Sequence, residues 1–138
     1  MIIDIIKSYN GICIIDKNGP HSFEDLINEI EKIRLELDGK INKNEKIVIY
    51  SDYNFYSISL LLLLSEYPIN IIPIVKTTEK EFEDKISSVN PEKILSFDES
   101  GSLILNSLDS LSEIPKGYSD ISSTGDTGIV LFSSGTTG

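Results

Sequence analysis

The sequence predicts an α/β fold: a doubly wound, mostly parallel sheet with flanking helices. Three observations point there. Apolar runs at 46–50, which is rich in β-branched residues, at 69–75 and at 93–97 alternate with segments whose apolar residues recur at helical spacing. The runs are continuous rather than alternating, which suits strands covered on both faces. Their order, strand then helix, is that of βαβ crossovers. With 138 residues, 40% hydrophobic and 25% charged, the chain has room for one domain with a real core.

Taken in order, residues 2, 3, 5, 6 and 9 are apolar at near-helical spacing and predict a short amphipathic helix or a docking tail. Gly11 follows, and Ile12 to Asp16 reads as a strand. Lys17-Asn18-Gly19-Pro20 is turn chemistry, because Asn-Gly readily takes positive φ, and His21 to Phe23 is expected to pair back. Ser22-Phe23-Glu24-Asp25 has the spacing of a capping box. Phe23, Leu26, Ile27, Ile30, Ile33 and Leu37 then mark a helix that Gly39 ends as a left-handed cap.

Lys46 to Tyr50 is the first strand of the repeating unit. Ser51 and Asp52 are expected to cap a helix from Tyr53 to Glu66, apolar nearly all round at its centre and so buried on most faces. Pro68 breaks it, and Ile69 to Val75 is the next strand. Thr78-Glu79-Lys80-Glu81 reads as a second capping box, Phe82, Ile86 and Val89 as its helical stripe, and Asn90-Pro91 as its stop. Lys93 to Phe97 is a third strand, Asp98 to Gly101 a turn, and Ser102 to Leu105 a short extra strand. Residues 107–126 are rich in Ser, Asp and Gly with little periodicity, and are expected to be a mobile surface connection to a last strand, Thr127 to Phe132. The organisation is thus an α/β body at 1–106, a connection at 107–126, and a strand plus loop at 127–138, with no internal repeat.

The net charge of −10 argues against a nucleic-acid backbone or an anionic membrane surface as partner, since both need a basic patch. An anionic ligand would have to be held by local donors. The single cysteine, Cys13, sits in an apolar run and reads as a buried small hydrophobe. His21, the only histidine, reads as a surface or strand residue, and one Cys with one His makes no zinc set. Asp4 stands where a signal peptide needs basic residues, and Glu66, Pro68 and Asn70 interrupt the most apolar stretch, so a soluble cytoplasmic protein is expected.

The chemistry concentrates at Ser133-Ser134-Gly135-Thr136-Thr137-Gly138. Glycines let backbone approach a ligand, while hydroxyls and free N–H groups donate to phosphate oxygens. A Walker-type loop fails on spacing, because no Gly-Lys pair is present. A flexible Ser/Gly tail and a phosphate loop delivered by a buried strand both fit the composition.

Leu131 to Gly138 resembles the first part of the signature of AMP-forming adenylating enzymes: acyl-CoA synthetases, nonribosomal-peptide adenylation domains and luciferases. That signature reads Ser/Thr, Ser/Gly, Gly, Ser/Thr, Thr, Gly, any residue, Pro, Lys, and residues 133–138 match its first six positions. Ile12 to Leu37 resembles the family's hairpin and helix. Lys46 to Val75 is similar to its strand, buried helix and second strand, with Ile71-Ile72-Pro73-Ile74 as the apolar-Pro-apolar stretch. The resemblance covers nearly the whole chain but only the N-terminal part of a family member.

The resemblance implies a two-step reaction: a carboxylate attacks the α-phosphate of Mg-ATP to give acyl-adenylate and pyrophosphate, and a thiol or other nucleophile then takes the acyl group. Ser133, Ser134, Gly135, Thr136, Thr137 and Gly138 would hold the ATP phosphates. The leading expectation is the N-terminal fragment of a carboxylate–CoA ligase, with ATP, Mg2+ and CoA as cofactors of the parent and a small-molecule carboxylate as substrate. Gly-Thr-Thr-Gly resembles acyl- and aryl-CoA ligases slightly more than amino-acid adenylation domains. The alternatives are such an adenylation domain, or a non-catalytic α/β interaction module ending at Gly138. A flavodoxin-like nucleotide binder would need its phosphate loop at 16–22, where the turn is too short. The motif's lysine and the family's downstream sites are missing, and no residue here is a catalytic acid, base, nucleophile or metal ligand. The 138-residue chain alone is therefore expected to be inactive, to hold no cofactor tightly, and to self-associate through exposed sheet edges.

Overall fold

The computed structural model describes residues 2–108 and 127–131. A short helix, α1 (Ile2–Ile6), docks through Ile3, which is buried in the core. β1 (Ile12–Asp16) and β2 (Gly19–Ser22) form a separate antiparallel hairpin. Its turn is tighter than the sequence predicts. Gly19 takes φ 111° and already pairs with Asp16, so Pro20 lies inside β2 and Phe23 belongs to the next helix. A two-stranded hairpin has only edge strands, so the missing N–H of Pro20 breaks no central ladder.

α2 (Phe23–Leu37) starts on a full capping box. The Ser22 hydroxyl accepts from the Asp25 N–H at 3.0 Å, and the Asp25 carboxylate accepts from the Ser22 N–H at 2.9 Å. Leu26, Ile30, Ile33 and Leu37 form its buried stripe, and Gly39 at φ 72° ends it.

β3 (Lys46–Tyr50), β4 (Asn70–Ile74) and β5 (Lys93–Phe97) alternate with α3 (Phe55–Leu64) and α4 (Glu79–Val89). β4 and β5 flank β3 in parallel, with Lys46 beside Asn70 and Ile47 beside Lys93. β6 (Leu103–Ser107) turns back antiparallel on β5, and β7 (Gly128–Ile129) lies parallel to β4. The sheet order is β6-β5-β3-β4-β7. The fold is therefore the expected α/β class, a mixed and mostly parallel sheet with flanking helices.

Side-chain alternation divides the core. Ile47, Ile49, Ile71 and Leu95 face α2 and α3 in the larger cluster, while Val48, Ile72 and Ile74 face α4 in the smaller one. α3 buries Leu60, Leu63 and Leu64 completely, so each contributes about 1.5–3 kcal/mol. Lys46, 1% exposed, donates from Nζ to the Val89 carbonyl at 2.9 Å, which sets its charge on the negative end of α4.

Two helix starts differ from expectation. Asn54, not Ser51 or Asp52, caps α3: its Oδ1 accepts from the Ser57 N–H at 3.0 Å, and the Ser57 hydroxyl accepts from the Asn54 N–H at 2.9 Å. At α4 only half a box forms. Thr78 accepts from the Glu81 N–H at 3.3 Å, but the Glu81 carboxylate turns to the Thr77 hydroxyl. Cys13 is half-buried rather than fully buried. Of the expected connection, Ser107 belongs to β6 and residues 109–126 lie outside the described residues.

Candidate functional site

β3, β4, β5 and β7 run in one direction, so their carboxyl ends share one edge of the sheet. The chain leaves β3 for α3 on one face and leaves β4 for α4 on the other. Adjacent strands whose loops part to opposite faces open a crevice, which is where open α/β sheets bind ligands. Between β3 and β4 themselves the crevice is nearly closed: a cavity of about 20 Å³, lined by Ile49, Ser51, Ser57, Pro73 and Val75, holds about one water.

The usable space lies beside it, a cleft of about 530 Å³ where four connections converge. The β1–β2 turn brings Lys17 and Asn18, the start of α3 brings Ser51, Asn54 and Tyr56, the segment after β4 brings Lys76, and the β5–β6 turn brings Asp98 and Glu99 next to Phe97. Each wall is fixed by its own hydrogen bonds. Asp16 accepts from the Phe55 N–H at 3.0 Å, the Asn18 N–H at 2.9 Å and His21 Nε2 at 3.1 Å, so one carboxylate ties the hairpin turn to α3. The Phe55 N–H, more than the His21 hydrogen bond, holds the Asp16 carboxyl below the usual carboxylate range. His21 also stacks on Phe55 at 4.0 Å, so it serves this joint rather than Cys13, whose thiol burial pushes up.

On the opposite wall, Asp98 Oδ1 accepts from the Ser100 hydroxyl at 2.7 Å and from the Ser100 and Ser102 N–H groups, each at 2.9 Å. The Ser100 hydroxyl foremost lowers its pKa. Gly101, at φ +85°, presses on Tyr56: a Cβ there would meet the ring at 2.4 Å. Tyr56 is thereby held in place beside Phe97, at a ring distance of 5.8 Å. None of these cleft residues stands out in the sequence. Their one shared signal is position, just after a strand or at a turn.

Ser133, Ser134, Gly135, Thr136, Thr137 and Gly138 lie outside the described residues. The strand that leads to them is described. The Thr127 hydroxyl donates to the Ser65 carbonyl at 2.9 Å and lies at 2.5 Å from that of Tyr67, and the Val130 N–H donates to the Ile71 carbonyl at 2.8 Å. β7 thus runs parallel to β4 and heads for the carboxyl edge, beside the strand after which Lys76 follows and separated from β5 by β3 and β4. Among the described residues there is no group of three His, Cys, Asp or Glu that could hold a metal ion, and no helix long and apolar enough to cross a membrane.

No protein-family model and no curated protein matches the sequence. Solved structures do match in fold. The Klebsiella oxytoca NpsA N-terminal subdomain, in complex with 3-hydroxyanthranilyl-AMSN, is 16% identical over 99% of this chain and 37% of its own, with a TM-score of 0.68. VinN with L-aspartate is 18% identical over 73% of this chain and 28% of its own, with a TM-score of 0.61. The four-domain nonribosomal peptide synthetase AB3403, bound to AMP and glycine, is 16% identical over 70% of this chain and 7% of its own, with a TM-score of 0.55. This chain thus spans well under half the length of the first two. Its fold is that of the NpsA N-terminal subdomain and of VinN over the part of those chains that it spans.

Proposed function

We propose that this chain supplies the first part of the nucleotide-handling subdomain of an AMP-forming adenylating enzyme. The observation that supports it most is the fold shared with the NpsA N-terminal subdomain over 99% of the chain. The parallel β7, heading for the carboxyl edge just before Ser133, agrees with it. On this reading the hydroxyls of Ser133, Thr136 and Thr137, and backbone N–H groups freed by Gly135 and Gly138, cradle the β- and γ-phosphates of Mg-ATP. Charge neutralisation and positioning are what in-line attack by a carboxylate on the α-phosphate requires.

The acid activated is an amino acid or an amino-acid-like carboxylate. VinN is described with L-aspartate and AB3403 with glycine, which favours the adenylation-domain alternative over the carboxylate–CoA ligase that leads in the sequence. Only the Gly-Thr-Thr-Gly form favours the CoA ligase. The test is ATP–pyrophosphate exchange by the product of the whole reading frame that encodes this chain, with panels of amino acids and of fatty and aryl acids. Exchange that depends on an amino acid is expected. Exchange with fatty or aryl acids alone would restore the CoA ligase. A folded product that exchanges with no acid would overturn adenylation altogether. The 138-residue chain by itself is expected to show no exchange.

A further inference from the structure

We propose that the 530 Å³ cleft binds an anionic, phosphate-bearing small molecule, at a place separate from the Ser133–Gly138 loop. The inference does not rest on adenylation. It rests on which donors the four converging connections leave unused.

Lys17 and Lys76 come from connections far apart in sequence, yet line the same cleft, and neither forms an ion pair among the described residues. Lysines elsewhere on the sheet are already committed. Lys93 pairs with Glu45, and Lys46 is spent on the Val89 carbonyl. Asn54 uses its Oδ1 to cap α3, which leaves its amide nitrogen as a donor at the rim. The side chain of Asn18 and the hydroxyl of Tyr56 also make no hydrogen bond among the described residues. α3 is a ten-residue helix that opens onto the cleft, but its Phe55 and Ser57 N–H groups are taken by Asp16 and Asn54, so the lysines and side-chain amides are the donors that remain.

The unused donors, not the net charge, set the sign of the ligand. The molecule carries −10, but the cleft lining carries two lysines against Asp98 and Glu99 and is locally neutral. Asp98 keeps its charge, but its Oδ1 is occupied within its own turn by three hydrogen bonds. What remains is a surplus of donors, which a phosphate group with several acceptor oxygens satisfies better than a single carboxylate does. The volume lies within the usual range for small-molecule sites, about 300–1,000 Å³, and Tyr56 and Phe97 give an apolar surface for the body of the ligand.

The probe is inorganic pyrophosphate, titrated into the 15N-labelled whole chain and followed by amide shifts and calorimetry. Shifts are expected at Lys17, Asn18, Asn54, Tyr56 and Lys76. The double variant Lys17→Gln/Lys76→Gln is expected to weaken binding about tenfold or more, given the strength of charge-assisted hydrogen bonds. Two controls keep the proposal falsifiable. Lys80→Gln, a lysine on α4 that does not line the cleft, should leave affinity unchanged, and the amide shifts at the cleft residues should persist in Thr136→Ala/Thr137→Ala, whatever that loop itself binds. Binding that follows Thr136 and Thr137 but ignores the cleft lysines would overturn the proposal. So would an equal loss in Lys80→Gln, or no pyrophosphate binding at all. Because the readout is binding to this chain, its failure is separate from a failure of ATP–pyrophosphate exchange.

Discussion

Asp16 shows how much one side chain can hold. Its side chain is 9% exposed, and its carboxylate joins the hairpin to the first turn of α3 through Phe55, Asn18 and His21. Asp16→Asn keeps the shape and removes the charge. Hydrogen bonds to a charged group are each worth about 1.5–3 kcal/mol, so a loss of roughly that size is expected at neutral pH, measured by urea unfolding. The pH dependence follows from the direction of the shift. The folded Asp16 carboxyl lies below its ordinary value of 3.8, so its contribution is fully present above that value. It is lost as pH falls through the lower, folded value. Asp25 and Asp98 are shifted the same way by the Ser22 and Ser100 groups, so acid should weaken the native chain in one shared window. Asp16→Asn should flatten that loss only in part. A stability–pH curve for the variant parallel to the native one would show that Asp16 carries no linkage.

At the scale of elements, the start of α3 tests the difference between sequence and structure. Ser51, Asp52 and Asn54 can all cap a helix by residue type. The sheet chooses among them: the Ser51 N–H still donates to the Ile74 carbonyl at 3.1 Å, so the backbone there remains part of the strand ladder. The turn must come later, and Asn54 takes the cap. Asn54→Ala should therefore lower stability by about 1 kcal/mol, read as a fall in melting temperature. Ser51→Ala should cost less, because the Asp52 carbonyl that its hydroxyl serves also accepts from the Ser57 hydroxyl. The reverse ranking would mean that Asn54 is not the cap. β3, β5 and α2 were legible to the residue because their signals are local: short apolar runs, and a capping box before a strict apolar stripe. The antiparallel return of β6 and the length of α3 depend on tertiary partners. The cleft was not legible, since Lys17, Asn54, Lys76 and Asp98 become neighbours only once the sheet is assembled.

At the scale of the whole molecule, β7 is the weak edge. Among the described residues it pairs on one side only, with β4. Residues 128–131 contain no lysine, no proline and no charge, the features that usually blunt an edge strand. Ile129 and Leu131 are 54% and 69% exposed. Against this stands the net charge of −10 on each copy, which repels a second copy. The balance between them predicts a particular salt dependence. Salt screens the repulsion, with a Debye length that falls to about 3 Å at 1 M, but does not weaken apolar contact or backbone pairing. We therefore expect the 138-residue chain to be mainly monomeric at low salt and to self-associate through β7 as salt rises, followed by sedimentation velocity. Ile129→Lys should restore the monomer at high salt, because it places a charge on the edge without touching the core. Association that weakens with salt would mean ion pairs hold the copies together. Association that survives Ile129→Lys would move the contact away from β7, to the other edge at β6 or to the apolar surface around Tyr9 and Ile12.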